Sequence, residues 1–161
     1  MGFQKQVYID PNPAVEGDFA SANPRAMVLA GPGALVAGDA GVTVGRFAWA
    51  DANGLVTNAG TGAPTGFVHR EQQGLITIFL MESTMIVPKG LAVTLHNLGD
   101  FWAKTGTVAT IGQKVFASNT DGSVQTGAAG ATVAGYTETK WNVASAGAAG
   151  DLIKITTTAQ G

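Results

Sequence analysis

The chain has 161 residues, only 12% of them charged, and its formal net charge is -2. So weak a charge excludes a large basic surface for nucleic acid and an acidic solvating tail. The absence of cysteine excludes disulfides, thiolate metal sites and thiol nucleophiles, and no apolar run approaches the roughly 18 residues of a membrane span.

The start of the chain differs in character from the rest. Prolines and turn-forming residues interrupt residues 1–30, yet Phe3, Tyr8 and Phe19 make this stretch too apolar for a solvated tail. We predict an extended N-terminal arm over residues 1–30 that lies on its own domain, on a sister subunit or on a different protein. Residues 31–161 are predicted to form a β-sandwich domain. Because no apolar signal segment is recognisable, we expect a soluble protein made in the cytosol.

The body of the chain is predicted to consist of short strands. Its 23 glycines interrupt almost every window in which a helix could form. Alternation with a period of two predicts strands within residues 42–50, 91–97 and 151–158. Residues 75–89 are rich in β-branched and aromatic residues, and we predict two strands there, joined at the polar triplet 82–84.

One stretch of sequence occurs twice in altered form. The first copy is "VGRFAWADANGLVTNAGTG" at residues 44–62, and the second is "IGQKVFASNTDGSVQTGAAG" at residues 111–130. Each passes through an aromatic residue followed by Ala and reaches a turn dipeptide, Asn53-Gly54 or Asp121-Gly122, of a kind typical of hairpins. Each is followed by a Gly-aromatic pair that opens a new strand. The pattern predicts a duplicated unit of a hairpin plus a strand, within two sheets packed face to face.

The sequence offers little reactive chemistry. His69 and His96 could each pair with a carboxylate, Glu71 or Asp100, but no serine in a nucleophile-elbow setting accompanies them. We interpret both histidines as lying on an exposed strand face or in a loop. The carboxylates are scattered singly, without the spacing of a metal-binding loop. We therefore predict no enzyme activity, no cofactor, and no catalytic or metal-binding residues.

Tryptophan leaves one alternative open. Trp49, Trp102 and Trp141 occur near Asn and Asp residues and could stack on a pyranose ring, although a Trp in a small β-domain more often belongs to the core. The alternative function is therefore a β-sandwich carbohydrate-binding module for surface adhesion.

Longer runs of residues resemble a known family. The runs are "GFQKQVYIDPNPAVEGDFASANPRAMVLAGPGALVAG", "VTVGRFAWAD", "GAPTGFVHREQQ", "LITIFLMESTMIVPKGLAVTLHNLGDFWAKT" and "IGQKVFASNTDGSV". Through them the chain closely resembles the bacteriophage structural cement proteins, which are capsid-decoration proteins of tailed phages. The resemblance extends from Gly2 to about Val143.

This resemblance implies a non-enzymatic protein with a jelly-roll-like β-sandwich fold, to which the extended N-terminal arm is attached. It also implies a virion protein, synthesised in the host cytoplasm, on the outer surface of the head. There it would often be a homodimer and would tie neighbouring subunits of the major capsid protein together. We expect no direct contact with nucleic acid or membrane.

The contact residues are predicted from the sequence alone. Phe3, Tyr8 and Phe19 are assigned to the interface because an extended arm loses little entropy on docking and can span a seam between two subunits. The adjacent Phe101 and Trp102 point to opposite faces of one strand. One of them can therefore fill the core while the other is presented to a partner subunit.

Overall fold

The computed structural model describes residues 14–71 and 84–158. Within these ranges the chain forms β-strands and no helix, so the all-β prediction is confirmed. The strands are β1 (Ala26–Met27), β2 (Val36–Ala37), β3 (Val42–Thr43), β4 (Phe47–Ala50), β5 (Leu55–Thr57), β6 (Gly66–Val68), β7 (Ile86–Val87), β8 (Leu95–Leu98), β9 (Asp100–Lys104), β10 (Lys114–Ser118), β11 (Val124–Gly127), β12 (Tyr136–Val143) and β13 (Leu152–Thr156).

The strands form two main sheets and one small one. The larger sheet has the order β1-β8-β6-β4-β5-β2, the second has the order β11-β10-β12-β13-β9, and β3 pairs with β7. The five-stranded sheet curls so far that its two border strands approach each other. Thr105, just after β9, forms a parallel bridge to Val124 of β11. The two main sheets pack in a sandwich-like arrangement, as predicted. The jelly-roll connectivity remains a prediction.

The middle strands of the six-stranded sheet are buried on both faces. On β4, Phe47 packs with side chains of the five-stranded sheet, whereas Ala48 packs on the opposite side, and Phe67 and Val68 divide in the same way on β6. The first core, between the sheets, also contains Phe101, Ala103, Ala109, Val115, Ala117, Val124, Trp141, Val143, Ile153 and Ile155. The second core, on the far side, contains Leu35, Ala37, Val42, Val44, Val56, Val87, Val93 and Leu95. The protein therefore has two cores that share one sheet.

The duplicated hairpin unit is confirmed. In the first copy, β4 pairs with β5 and, on its other side, with β6. In the second copy, β10 pairs in the same way with β11 and β12. The turn residues Gly54 and Gly122 both have left-handed backbones, with φ of 81° and 67°, a conformation that glycine adopts without steric cost.

The second hairpin turn is joined to the first hairpin. The Phe47 amide donates a hydrogen bond to the Gly122 carbonyl (2.9 Å), and Arg46 Nη1 lies 2.9 Å from Asp121 Oδ2 in an ion pair. A Cβ atom at Gly122 would overlap the Phe47 carbonyl oxygen. The turn can therefore approach β4 this closely only because it carries a glycine.

The other predicted strands have different outcomes. The strand predicted within residues 151–158 is confirmed as β13, with Ile153 and Ile155 fully buried. The strand predicted at 91–97 begins only at Leu95, because the chain before it first pairs with β2 through Ala92. The predicted strand pair at 75–89 falls largely on residues 72–83, outside the described residues; β7 belongs to its second member.

The glycine at the second hairpin turn gives a stability prediction. The control is Gly130→Ala, because Gly130 also has a positive φ but no neighbour lies within 4 Å of the new Cβ. This control should lose about 1–2 kcal/mol of unfolding free energy, from backbone strain alone. Gly122→Ala should cost about 3 kcal/mol or more, because the hairpin must also move away from β4. Urea unfolding of both variants would measure the difference, and equal losses would contradict the close approach of this turn.

Candidate interaction surfaces

Residues 14–30 lie across one open side of the sandwich. The Gly17 amide donates to the Trp102 carbonyl (2.8 Å), and the Trp102 amide donates to the Asp18 carbonyl (2.9 Å), so this segment extends the edge of β9. A few residues later, β1 pairs with β8 at the edge of the other sheet. The described half of the predicted arm therefore joins the edges of both sheets of its own domain. We call residues 17–27 the tie segment.

Asp100 anchors the tie segment to β9. Its carboxylate accepts hydrogen bonds from Ser21 Oγ and Asn23 Nδ2 (2.6 Å each) and from Thr156 Oγ1 (2.5 Å). Partial burial acts to raise the pKa of Asp100, but these three hydrogen bonds outweigh it and hold that pKa below its usual value. The carboxylate is therefore engaged in structure and is not paired with His96.

Phe19 lies at the centre of a cluster of rings beneath the tie segment. Its ring stacks on that of His69, with centroids 3.9 Å apart and planes inclined by 19°. Its centroid lies 5.5 Å from that of His96 and 5.2 Å from that of Phe101. The Arg25 guanidinium lies over the Phe19 ring, with Cζ 3.8 Å from the centroid, a cation–π arrangement that favours the docked segment.

The burial of His96 within β8 corrects the prediction that it lies on an exposed strand face or in a loop. His69 is partly buried and lies in the loop after β6, as that prediction allowed. His96 is 3% exposed, and neither of its ring nitrogens has a hydrogen-bond partner within the described part of the chain. His69 Nδ1 lies 3.3 Å from Glu71 Oε1, outside hydrogen-bond geometry. The prediction for His96 was wrong because β8 is covered on both sides, by the second core and by Phe19.

Burial favours the neutral form of these imidazoles. It lowers the pKa of His96 to about 4, with a further contribution from the neighbouring His69. Burial also lowers the pKa of His69, although the Glu71 carboxylate opposes that shift. At neutral pH both histidines therefore pack as uncharged rings.

The predicted contact residues occupy different positions. Phe101 and Trp102 do point to opposite sides of β9: Phe101 is fully buried in the first core, and Trp102 is half-buried on the outward face. Phe19 is half-buried under the tie segment. Phe3 and Tyr8 lie outside the described residues. The contact role of all five remains a prediction.

An uncharged apolar stretch begins at the end of the tie segment. No charged residue occurs from Ala26 to Gly38, and within this stretch Met27 and Leu29 are 60% and 91% exposed. A shallow groove of about 180 Å³ lies beside them, lined by residues 27–30, 34–35 and 92–95, of which only Thr94 is polar. We call these lining residues the apolar edge. Our sequence reasoning missed it, although the run without charges was a signal for it.

Two of the tryptophans give no support to the carbohydrate-binding alternative. Trp141 is buried in the first core. Trp49 packs over Gly60 so closely that a Cβ atom there would overlap the indole, and its Nε1 donates to the Gly62 carbonyl (3.2 Å). Both rings are used to hold the domain together.

The described residues show neither a membrane-spanning helix nor a metal-binding cluster. Within residues 14–71 and 84–158, no helix has the length and apolar character needed to cross a membrane. Nor do those residues contain a group of three or more His, Cys, Asp or Glu side chains that could hold a metal ion.

Comparison with known proteins identifies the class as a phage capsid-associated structural protein. The fold resembles a chain in the solved structure "The capsid of Myoviridae Phage XM1", with a TM-score of 0.61 and 20% sequence identity over 98% of each chain. Residues 3–157 match the family described as XM1 gp53 minor capsid protein, and the protein belongs to this family. No curated protein matches the sequence. The expected membership of a phage capsid protein family is confirmed, and with it a place in the virion.

The ring cluster predicts acid sensitivity. Below about pH 6.5, the unfolded chain gains a proton at each histidine, whereas folded His96 resists protonation down to about pH 4. The unfolding free energy should therefore fall between pH 6.5 and 4, by about 2 kcal/mol. Among the neighbouring charges, Glu71 favours protonation of the two histidines and Arg25 opposes it. The lowered carboxyl pKa of Asp100 acts mainly below this window.

Urea unfolding at several pH values measures this dependence, and His96→Leu should flatten it over the same window. Equal pH slopes in the wild type and the variant would contradict the assignment. Should the variant fail to fold, NMR titration of the wild-type His96 ring provides the test. An apparent pKa near 4 supports the buried neutral ring, and one near 6.5 contradicts it.

Proposed function

We propose that this protein decorates the outside of the assembled phage head and stabilises it by bridging subunits of the major capsid protein. The observation that carries the proposal is the family match over residues 3–157, which relates almost the whole chain to a minor capsid protein. A non-enzymatic cement role agrees with that family and with the resemblance of the sequence to phage structural cement proteins.

The apolar edge supports contact with other proteins of the head. Leu29 is 91% exposed, and burying a side chain of this size stabilises a contact by about 1.5–3 kcal/mol before the entropic costs of binding. Met27 of the apolar edge belongs to β1, a border strand of the six-stranded sheet. Such an edge can accept an extended segment of a second protein.

Repetition over the head makes a modest contact sufficient. A protein that binds assembled heads and not free subunits stabilises the assembled form by mass action. The gain is about 2.7 kcal/mol per site when the free protein is at a hundredfold excess over Kd. Because symmetry repeats this gain over every occupied site, each copy can be small and lightly charged.

The predicted contact residues divide into two groups in this proposal. Phe3, Tyr8 and Trp102 contact the major capsid protein directly. Phe19 and Phe101 act indirectly, because their rings pack together, with centroids 5.2 Å apart, and hold the tie segment in place.

The protein acts as a homodimer, a state that sedimentation velocity would detect.

The apolar edge can be tested by adding charge. Met27→Lys combined with Leu29→Lys should weaken binding to purified heads that lack this protein by about tenfold or more, because two apolar side chains lose their burial. Co-sedimentation with heads measures the bound fraction. Val108→Lys is the matched control: Val108 is 67% exposed, lies outside the apolar edge, and should bind as the wild type does. Wild-type protein that fails to co-sediment would remove the decoration role, whereas normal binding by the double variant would remove only this edge.

The two groups of aromatic residues should separate in a second experiment. Phe3→Ala combined with Tyr8→Ala should weaken head binding about fivefold or more and leave the unfolding free energy within about 0.5 kcal/mol of wild type. Phe19→Ala should instead lower the unfolding free energy by about 2 kcal/mol, because the ring cluster loses its central member. Unchanged head binding by the first variant would argue against arm contact.

A further inference from the structure

The outward face of the five-stranded sheet carries unpaired positive charge. Strand register places Trp102 opposite Lys154 and Lys104 opposite Leu152 on β9 and β13. Two strands away, Lys114 of β10 faces outward as well, because its neighbour Val115 points into the first core. We call Trp102, Lys104, Lys114, Leu152 and Lys154 the basic face.

No acidic partner neutralises these lysines among the described residues. The ion pairs found there that involve Lys or Arg use Arg46, Arg70 and Lys89 instead. Two of the nearby carboxylates are already engaged, since Asp100 anchors the tie segment and Glu138 accepts a hydrogen bond from the Gly130 amide (2.7 Å). Glu16 lines the same groove as Lys104 but forms no ion pair with it. In a chain of net charge -2, this face therefore has the opposite sign to the whole.

The basic face also has an apolar centre. Trp102 is half-buried, and the Lys154 ammonium lies 5.1 Å from its ring centroid in a cation–π arrangement. Leu152 is half-buried beside Lys104 on the neighbouring strand. An aromatic anchor surrounded by charged side chains is a common arrangement in protein–protein interfaces.

We propose that the basic face is a second docking surface, and that its partner is an acidic protein surface on a neighbouring subunit of the head. Charge complementarity selects the sign of the partner and steers the encounter. This inference rests on the proposed function, and it supplies the second contact that a bridging protein requires. The first contact, the apolar edge, belongs to the other sheet.

Three observations favour a protein partner over a nucleic acid. The net charge of -2 repels a polyanion at long range. The face carries lysines and no arginine, so it lacks the bidentate fork that suits phosphate. The Trp102 ring is already covered by Lys154, whereas stacking on bases requires an open ring face.

A charge-neutralising variant tests the basic face. Lys104→Gln combined with Lys154→Gln should raise the Kd for purified heads roughly threefold to tenfold at low salt, as expected for the loss of two screened ion pairs. Raising the salt concentration should weaken wild-type binding more than binding by the variant. Lys89→Gln is the matched control, because Lys89 is an exposed lysine on the other side of the domain and pairs with Asp39 (2.7 Å). It should bind as the wild type does.

Zero-length carbodiimide cross-linking identifies the chemistry of the partner, because it joins a lysine amine to a carboxylate already in contact. Mass spectrometry should find Lys104 or Lys154 joined to an Asp or Glu of a head protein. Equal binding by the double variant and wild type, missing cross-links, or competition by short duplex DNA would each overturn this inference and leave the decoration role intact. Failure of the wild-type protein to bind heads would overturn both proposals.

Discussion

The structure depends on the burial of one sheet on both faces. Strands β4 and β6 place Phe47 and Phe67 in the core beneath the five-stranded sheet, while Ala48 and Val68 pack into the second core. Neither core is large, and the sheet between them has almost no contact with solvent in its middle. Because both cores depend on the same strands, a disturbance at β4 is transmitted to each of them. The approach of the Gly122 turn to Phe47 is therefore a sensitive point in the fold.

The tie segment covers the side of the sandwich where the edges of the two sheets would otherwise be open. Without it, the edges of β9 and β8 would present unpaired main-chain groups and the rings of His96 and Phe101 to water. Main-chain hydrogen bonds, the Asp100 anchor and the Phe19 ring close this side. The histidines beneath it are neutral at physiological pH, so covering this side does not bury a charged group.

The apolar edge and the basic face differ in their chemistry. The apolar edge includes Met27 of the border strand β1 and carries no charge, while the basic face carries lysines around Trp102 on the other sheet. The proposed bridging role requires at least two such surfaces, and they bind most selectively when they differ chemically. Low overall charge suits this role, because few groups must be desolvated at each repeated contact.

The all-β class, the hairpin turns at Asn53-Gly54 and Asp121-Gly122, and the likeness to phage capsid proteins could all be predicted from the sequence. Turn chemistry and period-two alternation are local, so they can be read from neighbouring residues. The sequence did not predict that His96 is buried, that residues 17–27 close the sandwich, or that Leu29 is left exposed. Each of these depends on which distant segments meet, and neighbouring residues do not specify that. In β8 the polar His96 also interrupts the continuous apolar run by which a strand with two covered faces is usually recognised.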